Sequence, residues 1–132
     1  MANEAVCIET PTRFRRFTIS AGAVIPIGTI LKLTDPNTAA ATTADNEVFA
    51  GIAWEASTAT DTFTELTAAE NGTWDITTTN AAITAGALVS IGGANLILTA
   101  DTDAVIKGEI VGKAQETCAG TEVIRVAVGE IA

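Results

Sequence analysis

The sequence predicts an all-β protein: a small antiparallel barrel or sandwich of short strands, possibly two similar halves, preceded by an extended N-terminal arm. Three observations predict it. Thr, Ala, Gly, Val and Ile dominate the 132 residues, while Tyr and His are absent; β-branched residues suit a pleated surface and glycines suit turns. Apolar runs are short and broken every few residues by Gly, Pro, Asn or Asp, which is strand-and-turn punctuation. Two stretches also resemble later ones, the mark of a repeated unit.

The elements follow in chain order. Residues 1–20 form the arm and first strand, and residues 21–132 a single β-rich domain with an internal repeat spanning 21–67 and 85–128. "AGAVIPIG" at Ala21–Gly28 recurs as "AGALVSIG" at Ala85–Gly92, and "FAGIAWEAS" from Phe49 recurs as "IVGKAQETC" from Ile110. The offsets are 64 and 61 respectively. Val24–Ile27 and Leu88–Ile91 read as strands, each ended by a glycine, with Ile30–Leu33 and Leu96–Thr99 as their successors. Pro26 lacks an N–H and puts its strand at an edge or bend. "DPNT" at Asp35–Thr38 is a turn, and "AAATTADNE" after it reads as a loop because it has no 3.6-residue apolar period. Strands are expected near Val48–Ala56, Thr62–Thr67 and Thr73–Thr78, the last two joined by an Asn-Gly hairpin at Glu70–Gly72. Val105–Ala114 and Glu122–Val128 complete the set. "EVIRVAV" alternates poorly and suggests a strand covered on both faces.

Charge separates the two ends. Residues 1–20 carry three Arg and two Glu (+1); residues 21–132 carry four basic and fourteen acidic groups (−10), which sum to the net −9. A body this acidic repels phosphate backbones, so nucleic acid is not an expected partner. No run of about 20 apolar residues suggests a membrane span. "TRFRRF" at Thr12–Phe17 gathers Arg13, Arg15 and Arg16 around Phe14 and Phe17. A twin-arginine export signal is the wrong reading of it: Ser20, Gly22, Pro26 and Gly28 interrupt the apolar core, and the "AGA…IG" pattern returns deep in the chain. Two readings stay open. Phe17 and Ile19 enter the core while the arginines balance nearby carboxylates in solvent, or the segment is a docking arm in which Val6, Ile8, Phe14 and Phe17 meet a partner's sheet edge and the arginines pair with its carboxylates.

Nothing in the sequence points to catalysis, a cofactor or a metal. Without His, acid–base work falls to carboxylates, Lys or Cys. Asp101 and Asp103 supply two oxygens where calcium takes six to eight ligands. No Ser or Cys lies in a nucleophile motif and no glycine loop frames a phosphate. Cys7 and Cys118 lack metal-ligand spacing and read as free thiols. "NGT" at Asn71 fits a glycosylation sequon but reads more simply as a turn. Trp54 and Trp74 suit core or oligomer-contact anchors as well as ligand platforms.

"FAGIAWEASTATDTFTELTAAENGTWDI", Phe49 to Ile76, resembles the lambda-type phage head decoration proteins, which carry a Gly-Ile-Ala-type strand, a Thr-rich stretch, a further strand and a small-Gly-Thr-aromatic hairpin, here Asn71, Gly72, Thr73 and Trp74. "IPIGTILKLTDP", "AGALVSIGGANLI" and "VGKAQET…EVIRVAV" extend the likeness to small capsid-stabilising proteins over most of residues 20–128. The Arg-Phe cluster maps onto no family motif. The resemblance implies a cement protein, not an enzyme, that binds the major capsid protein as a homotrimer at three-fold or quasi-three-fold positions. It would sit on the outer surface of the virion head after assembly in the host cytoplasm, and hold the shell against internal DNA pressure. The competing class is an extracellular or cell-surface β-sandwich binding or adhesion module.

Overall fold

The computed structural model describes residues 3–131. Eleven strands and one helical turn are present among them: β1 (Val6–Glu9), β2 (Phe14–Thr18), β3 (Ile30–Asp35), β4 (Thr38–Ala41), β5 (Phe49–Ala53), β6 (Glu65–Ala69), β7 (Gly72–Thr78), β8 (Leu88–Gly93), β9 (Leu96–Thr99), α1 (Ala104–Lys107), β10 (Ile110–Ala114) and β11 (Val123–Val128). They form two closed five-stranded barrels. Barrel one runs β2-β4-β3-β5-β6 and closes where β6 pairs with β2. Barrel two runs β7-β9-β8-β10-β11 and closes where β11 pairs with β7. Closure removes the open sheet edges that short strands would otherwise expose.

The two barrels are wired identically. Each has one parallel pair, β2 with β4 through Thr18 and Thr38, and β7 with β9 through Thr77 and Leu96. Equivalent positions make equivalent bonds. The Gly28 N–H donates to Ala53 O at 2.9 Å and the Gly86 N–H to Ala114 O at 2.7 Å. Glu55 accepts the Thr67 N–H at 2.8 Å, and Glu116 accepts the Arg125 N–H at 2.6 Å. Asp61 accepts from the Thr58 N–H as Glu122 accepts from that of Ala119. Asn37 and Asn95 sit in the same β-turn with left-handed φ of 53° and 58°, a conformation Asn tolerates better than most residues.

Duplication is therefore present, with one expected register corrected. The offset of 61 holds for Phe49–Ser57 against Ile110–Cys118. The offset of 64 does not: Ile25 bridges Ser57 as Ile83 bridges Cys118, an offset of 58. Val24–Ile27 is no strand, because Pro26 offers no N–H and its carbonyl instead turns back to accept from Thr29. Further expectations fail for identifiable reasons. Part of the expected loop after "DPNT" is β4, whose small side chains pack as a barrel wall with Ala39 in the core. The front of Val105–Ala114 is α1, stopped by Gly108 in the left-handed region. β11 alternates after all: Ile124, Val126 and Val128 are buried while Val123 and Arg125 face out.

Glu70–Gly72 is not a hairpin either. β6 pairs with β2 and β5, whereas β7 pairs with β1, β9 and β11, so this turn carries the chain from one barrel to the other. The N-terminal segment crosses back at the same place. Asn71 Oδ1 accepts the N–H groups of Thr12 (2.9 Å) and Arg13 (3.0 Å), and its Nδ2 donates to Thr12 Oγ1. Gly72, at φ 102°, leaves room for Glu9 O, which would stand 2.9 Å from any Cβ there. The extended arm is thus built into both barrels. β1 lies along β7 in the second, and β2 is a wall of the first, so a boundary at residue 20 divides barrel one.

The barrels share their packing. One buried cluster fills barrel two and reaches Ile30, Ile52 and Ala69 of barrel one. A second holds Phe17, Ile19, Ile25, Leu31, Leu66 and small alanines inside barrel one. Polar bonds pin the seam: Asn95 Oδ1 accepts the buried Ile30 N–H at 2.8 Å, and the Asn95 N–H donates to Thr42 Oγ1 at 3.1 Å.

Candidate interaction surface

β2 presents its residues to opposite sides in turn, and the β2–β6 register decides what each arginine meets. Arg15 lies opposite Ala68 and Arg16 opposite Thr67. Arg15 Nε donates to Glu70 at 3.0 Å, and Arg13 stands 3.7 Å from the same carboxylate. Arg16 reaches Glu65 (3.3 Å), Glu55 (3.5 Å) and Thr67 Oγ1 (3.0 Å). The arginines are exposed, so each pair adds little to stability. Their main effect is local neutrality. Hydrogen bonds from the Thr67 backbone and hydroxyl, with Arg16 behind them, hold the Glu55 carboxyl below its ordinary range.

Phe17 is 3% exposed and packs in the barrel-one core. It is therefore not a docking residue, since pulling it out would empty the barrel. Of the residues the arm reading named, Val6, Ile8 and Phe14 remain exposed. The two tryptophans differ. Trp74 on β7 is 1% exposed and its Nε1 donates to Asn71 O at 3.1 Å; Trp54, just after β5, is 37% exposed. Trp54 stacks edge-on against Trp74 with centroids 6.0 Å apart, and tilts against Phe14 at 5.3 Å. The three rings form a ladder from barrel one across to barrel two.

Beside this ladder lies an apolar groove of about 420 Å³ lined by Ala5, Val6, Cys7, Ile27, Trp54 and Trp74. β1 brings Val6 and Cys7 there by pairing with Asp75 and Trp74, and the Pro26–Gly28 turn brings Ile27. Burial pushes the Cys7 thiol up, so it stays protonated as a small apolar wall. The structure thus unites Val6, Phe14, Trp54 and Trp74 of the sequence candidates and separates Phe17 from them. It adds Ile27 and Cys7. The available signal for Ile27 was an apolar residue held between Pro and Gly, where a strand could not bury it.

Among the described residues, no three His, Cys, Asp or Glu side chains cluster so as to hold a metal, and no helix is long and apolar enough to cross a membrane. Two acids, Asp103 and Glu47, are instead held in ion pairs. Asp103 meets Lys107 at 2.9 Å, whose hydrogen bond lowers the carboxyl pKa. Glu47 meets Lys32 at 2.8 Å. The arrangement offers an apolar, aromatic-lined face for contact. Compared with known proteins, the chain matches no family model and no curated protein.

Proposed function

We propose that the chain is a capsid decoration protein, which attaches as a homotrimer to the outer surface of an icosahedral phage head and cements neighbouring copies of the major capsid protein. The observation that carries this reading is the exposed apolar face at the barrel seam, where Val6, Ile8, Phe14, Ile27 and Trp54 are uncovered on an otherwise acidic molecule. Exposed apolar residues grouped in this way mark contact sites for protein. The likeness of residues 49–76 to lambda-type decoration proteins supplies the partner.

The N-terminal residues contribute through Val6, Ile8 and Phe14 rather than through a free arm. Arg13, Arg15 and Arg16 form the rim and already have intramolecular carboxylate partners. A trimer engages several capsid sites at once, and linked weak contacts gain on the order of 10²–10⁴ in avidity when geometry allows.

The test mixes the purified chain with expanded shells stripped of decoration. Co-sedimentation to a fixed stoichiometry and increased resistance of the shells to disruption are expected. Val6→Asp with Phe14→Ser should weaken attachment strongly, since neither residue is buried in the free chain. Absence of binding at saturating protein would rule the assignment out.

A further inference from the structure

The seam between the barrels joins two different faces of the repeated unit. From barrel one, Ile30, Ile52 and Ala69 stand side by side on β3, β5 and β6. They lie outside their own barrel's core and are fully buried in the cluster that fills barrel two. There they meet Trp74, Ile76, Ile91, Val111 and Val128, and Asn95 Oδ1 accepts the Ile30 N–H at 2.8 Å. Each side of this contact has a counterpart left over. The strand registers put Phe17, Leu33, Asn37 and Ala50 where Ile76, Ile91, Asn95 and Val111 stand in barrel two. In barrel one these four line an open cavity of about 210 Å³. By the same registers Leu88, Lys113 and Ala127, side by side on β8, β10 and β11, stand where Ile30, Ile52 and Ala69 do. They are only half-buried. One molecule thus carries both faces of its own seam a second time, unused.

We infer that the Leu88–Lys113–Ala127 row of one molecule docks on the Phe17–Leu33–Asn37 cavity of a second copy of this chain, repeating between molecules the contact that joins the barrels within one. Leu88 takes the place of Ile30, and its N–H meets Asn37 Oδ1. The backbone is already set for this, because the Ala100 N–H donates to Leu88 O as the Thr42 N–H donates to Ile30 O. In stacked repeats each unit contacts its neighbours through the same two faces. A head-to-tail contact of this kind makes a ring when its rotation closes. Three copies in a ring give the homotrimer of the proposed function its interface, and for the number three the inference rests on that reading. None of these residues is Val6, Ile8, Phe14, Ile27 or Trp54, so the face assigned to the capsid stays free.

A second feature points to the same occupant. The loop between β4 and β5 lies across the β8–β9 turn, where the Asn46 N–H donates to Ile91 O at 3.0 Å. Its counterpart between β9 and β10 has ten residues against seven. It holds α1, whose Ile106 is 89% exposed. Leu33, the counterpart of Ile91, is 39% exposed where Ile91 is fully buried. Repeating the seam lays α1 over Leu33, so two aliphatic side chains that a single chain leaves in water cover each other. The differences between the two faces fit a contact made after folding. Lys113 replaces Ile52, and the Arg15–Glu70 ion pair replaces Trp74 and Val128. Ala100 cannot accept a hydrogen bond as Thr42 Oγ1 does from the Asn95 N–H. Such groups keep both faces wetted while apart, and Lys113 lays its apolar stem on the partner with the amine in water. The permanent seam is the more hydrophobic of the two, as obligate interfaces are.

Asn37→Cys and Leu88→Cys, each combined with Cys7→Ser, provide the test. The two variants are mixed in the absence of any shell and oxidised with diamide; two thiols form one disulfide as diamide takes up two electrons and two protons. A covalent pair that dithiothreitol reverses, joining residues 37 and 88, is expected from the mixture. None should form from either variant alone, because the remaining thiol, Cys118, is buried. In the otherwise unchanged chain, Ile106→Asp and Leu88→Asp should each weaken self-association by at least about tenfold in sedimentation equilibrium, the effect of losing one buried aliphatic side chain. Circular dichroism checks that both fold, and Ile106 touches no core. A chain that is monomeric at its highest soluble concentration overturns the inference and makes the two faces polar caps of a two-barrel stack. So does an oligomer that forms no 37–88 link, or one undiminished by Ile106→Asp. Shell attachment is measured separately. Shells bound by a monomer refute this contact and leave the decoration reading standing, whereas a 37–88 link in a chain that binds no shells does the reverse.

Discussion

Asn95→Ala should destabilise the protein far more than Asn37→Ala, although the two asparagines occupy the same turn of twin barrels. Both hold left-handed φ angles, where replacing Asn by Ala costs about 1 kcal/mol. Asn37 stands at the surface, so that term is its main loss. Asn95 is fully buried at the seam, and its Oδ1 accepts the Ile30 N–H at 2.8 Å. Removing that acceptor strands a buried donor, at a cost of about 1–3 kcal/mol. The sum is about 2–4 kcal/mol for Asn95 against about 1 for Asn37. Urea unfolding followed by tryptophan fluorescence reads both, since Trp54 and Trp74 lie at the seam. Asn95→Gly relieves the backbone but not the lost acceptor, so it should recover only the first part. Equal effects of the two alanine variants, or a loss below about 0.5 kcal/mol at Asn95, would refute the view that this side chain ties the barrels together.

Three further outcomes are expected. Gly112→Ala should abolish folding or nearly so, because its Cβ would lie 2.3 Å from Ala127 O; Gly51→Ala, 2.8 Å from Ala69 O, should be milder, and circular dichroism with expression yield ranks them. Phe17→Ala should cost about 3–5 kcal/mol by chemical denaturation, while Phe14→Ser stays within about 1 kcal/mol; equal costs would place Phe17 outside the core. Burial pushes the Glu47 carboxyl up, but Lys32 and the N–H groups of Thr43 and Ala44 outweigh it and leave the pKa lowered, as Glu55 is by Thr67. A folded pKa below the unfolded one contributes stability above the unfolded value and loses it as pH falls through the folded one. The urea midpoint should therefore drop between about pH 5 and pH 3, and Glu47→Gln/Glu55→Gln should flatten that drop.

The strand-rich class was legible because it rests on composition and turn residues, which act locally. Half of the repeat was legible for a sharper reason. Gly51 and Gly112 each lie under a neighbouring carbonyl with no room for a side chain, so that part of the pattern survives in both halves. "AGAVIPIG" and "AGALVSIG" misled because Ala, Gly and Ile recur easily. Their true counterparts, Ile25–Gly28 and Ile83–Gly86, share only the residues at each end. At the interaction surface the Arg-Phe cluster was visible, but its meaning was not. Whether Phe17 points inward and whether Glu55, Glu65 and Glu70 neutralise the arginines depends on β6, some 50 residues away. The groove was hidden for the same cause: β1, the Pro26 turn, Trp54 and Trp74 meet only when two barrels pack. The Asn71–Gly72 turn looked like a hairpin because local chemistry fixes a bend, not the strands on either side.

The double crossing at Asn71 has a consequence for the order of assembly during synthesis. β2 must wait for β6 before barrel one can close, and β1 must wait longer, for β7, which begins at residue 72. Barrel one can shut as soon as residue 69 has left the ribosome, but Ile30 and Ile52 then face water until barrel two arrives. Such separations in sequence slow folding because chain entropy is spent before contacts return it. β1 is thus seated only once β7 has been made. Docking of β1 across β7 is an early tie between the barrels, and the groove it helps to line cannot exist until Trp74 is in place.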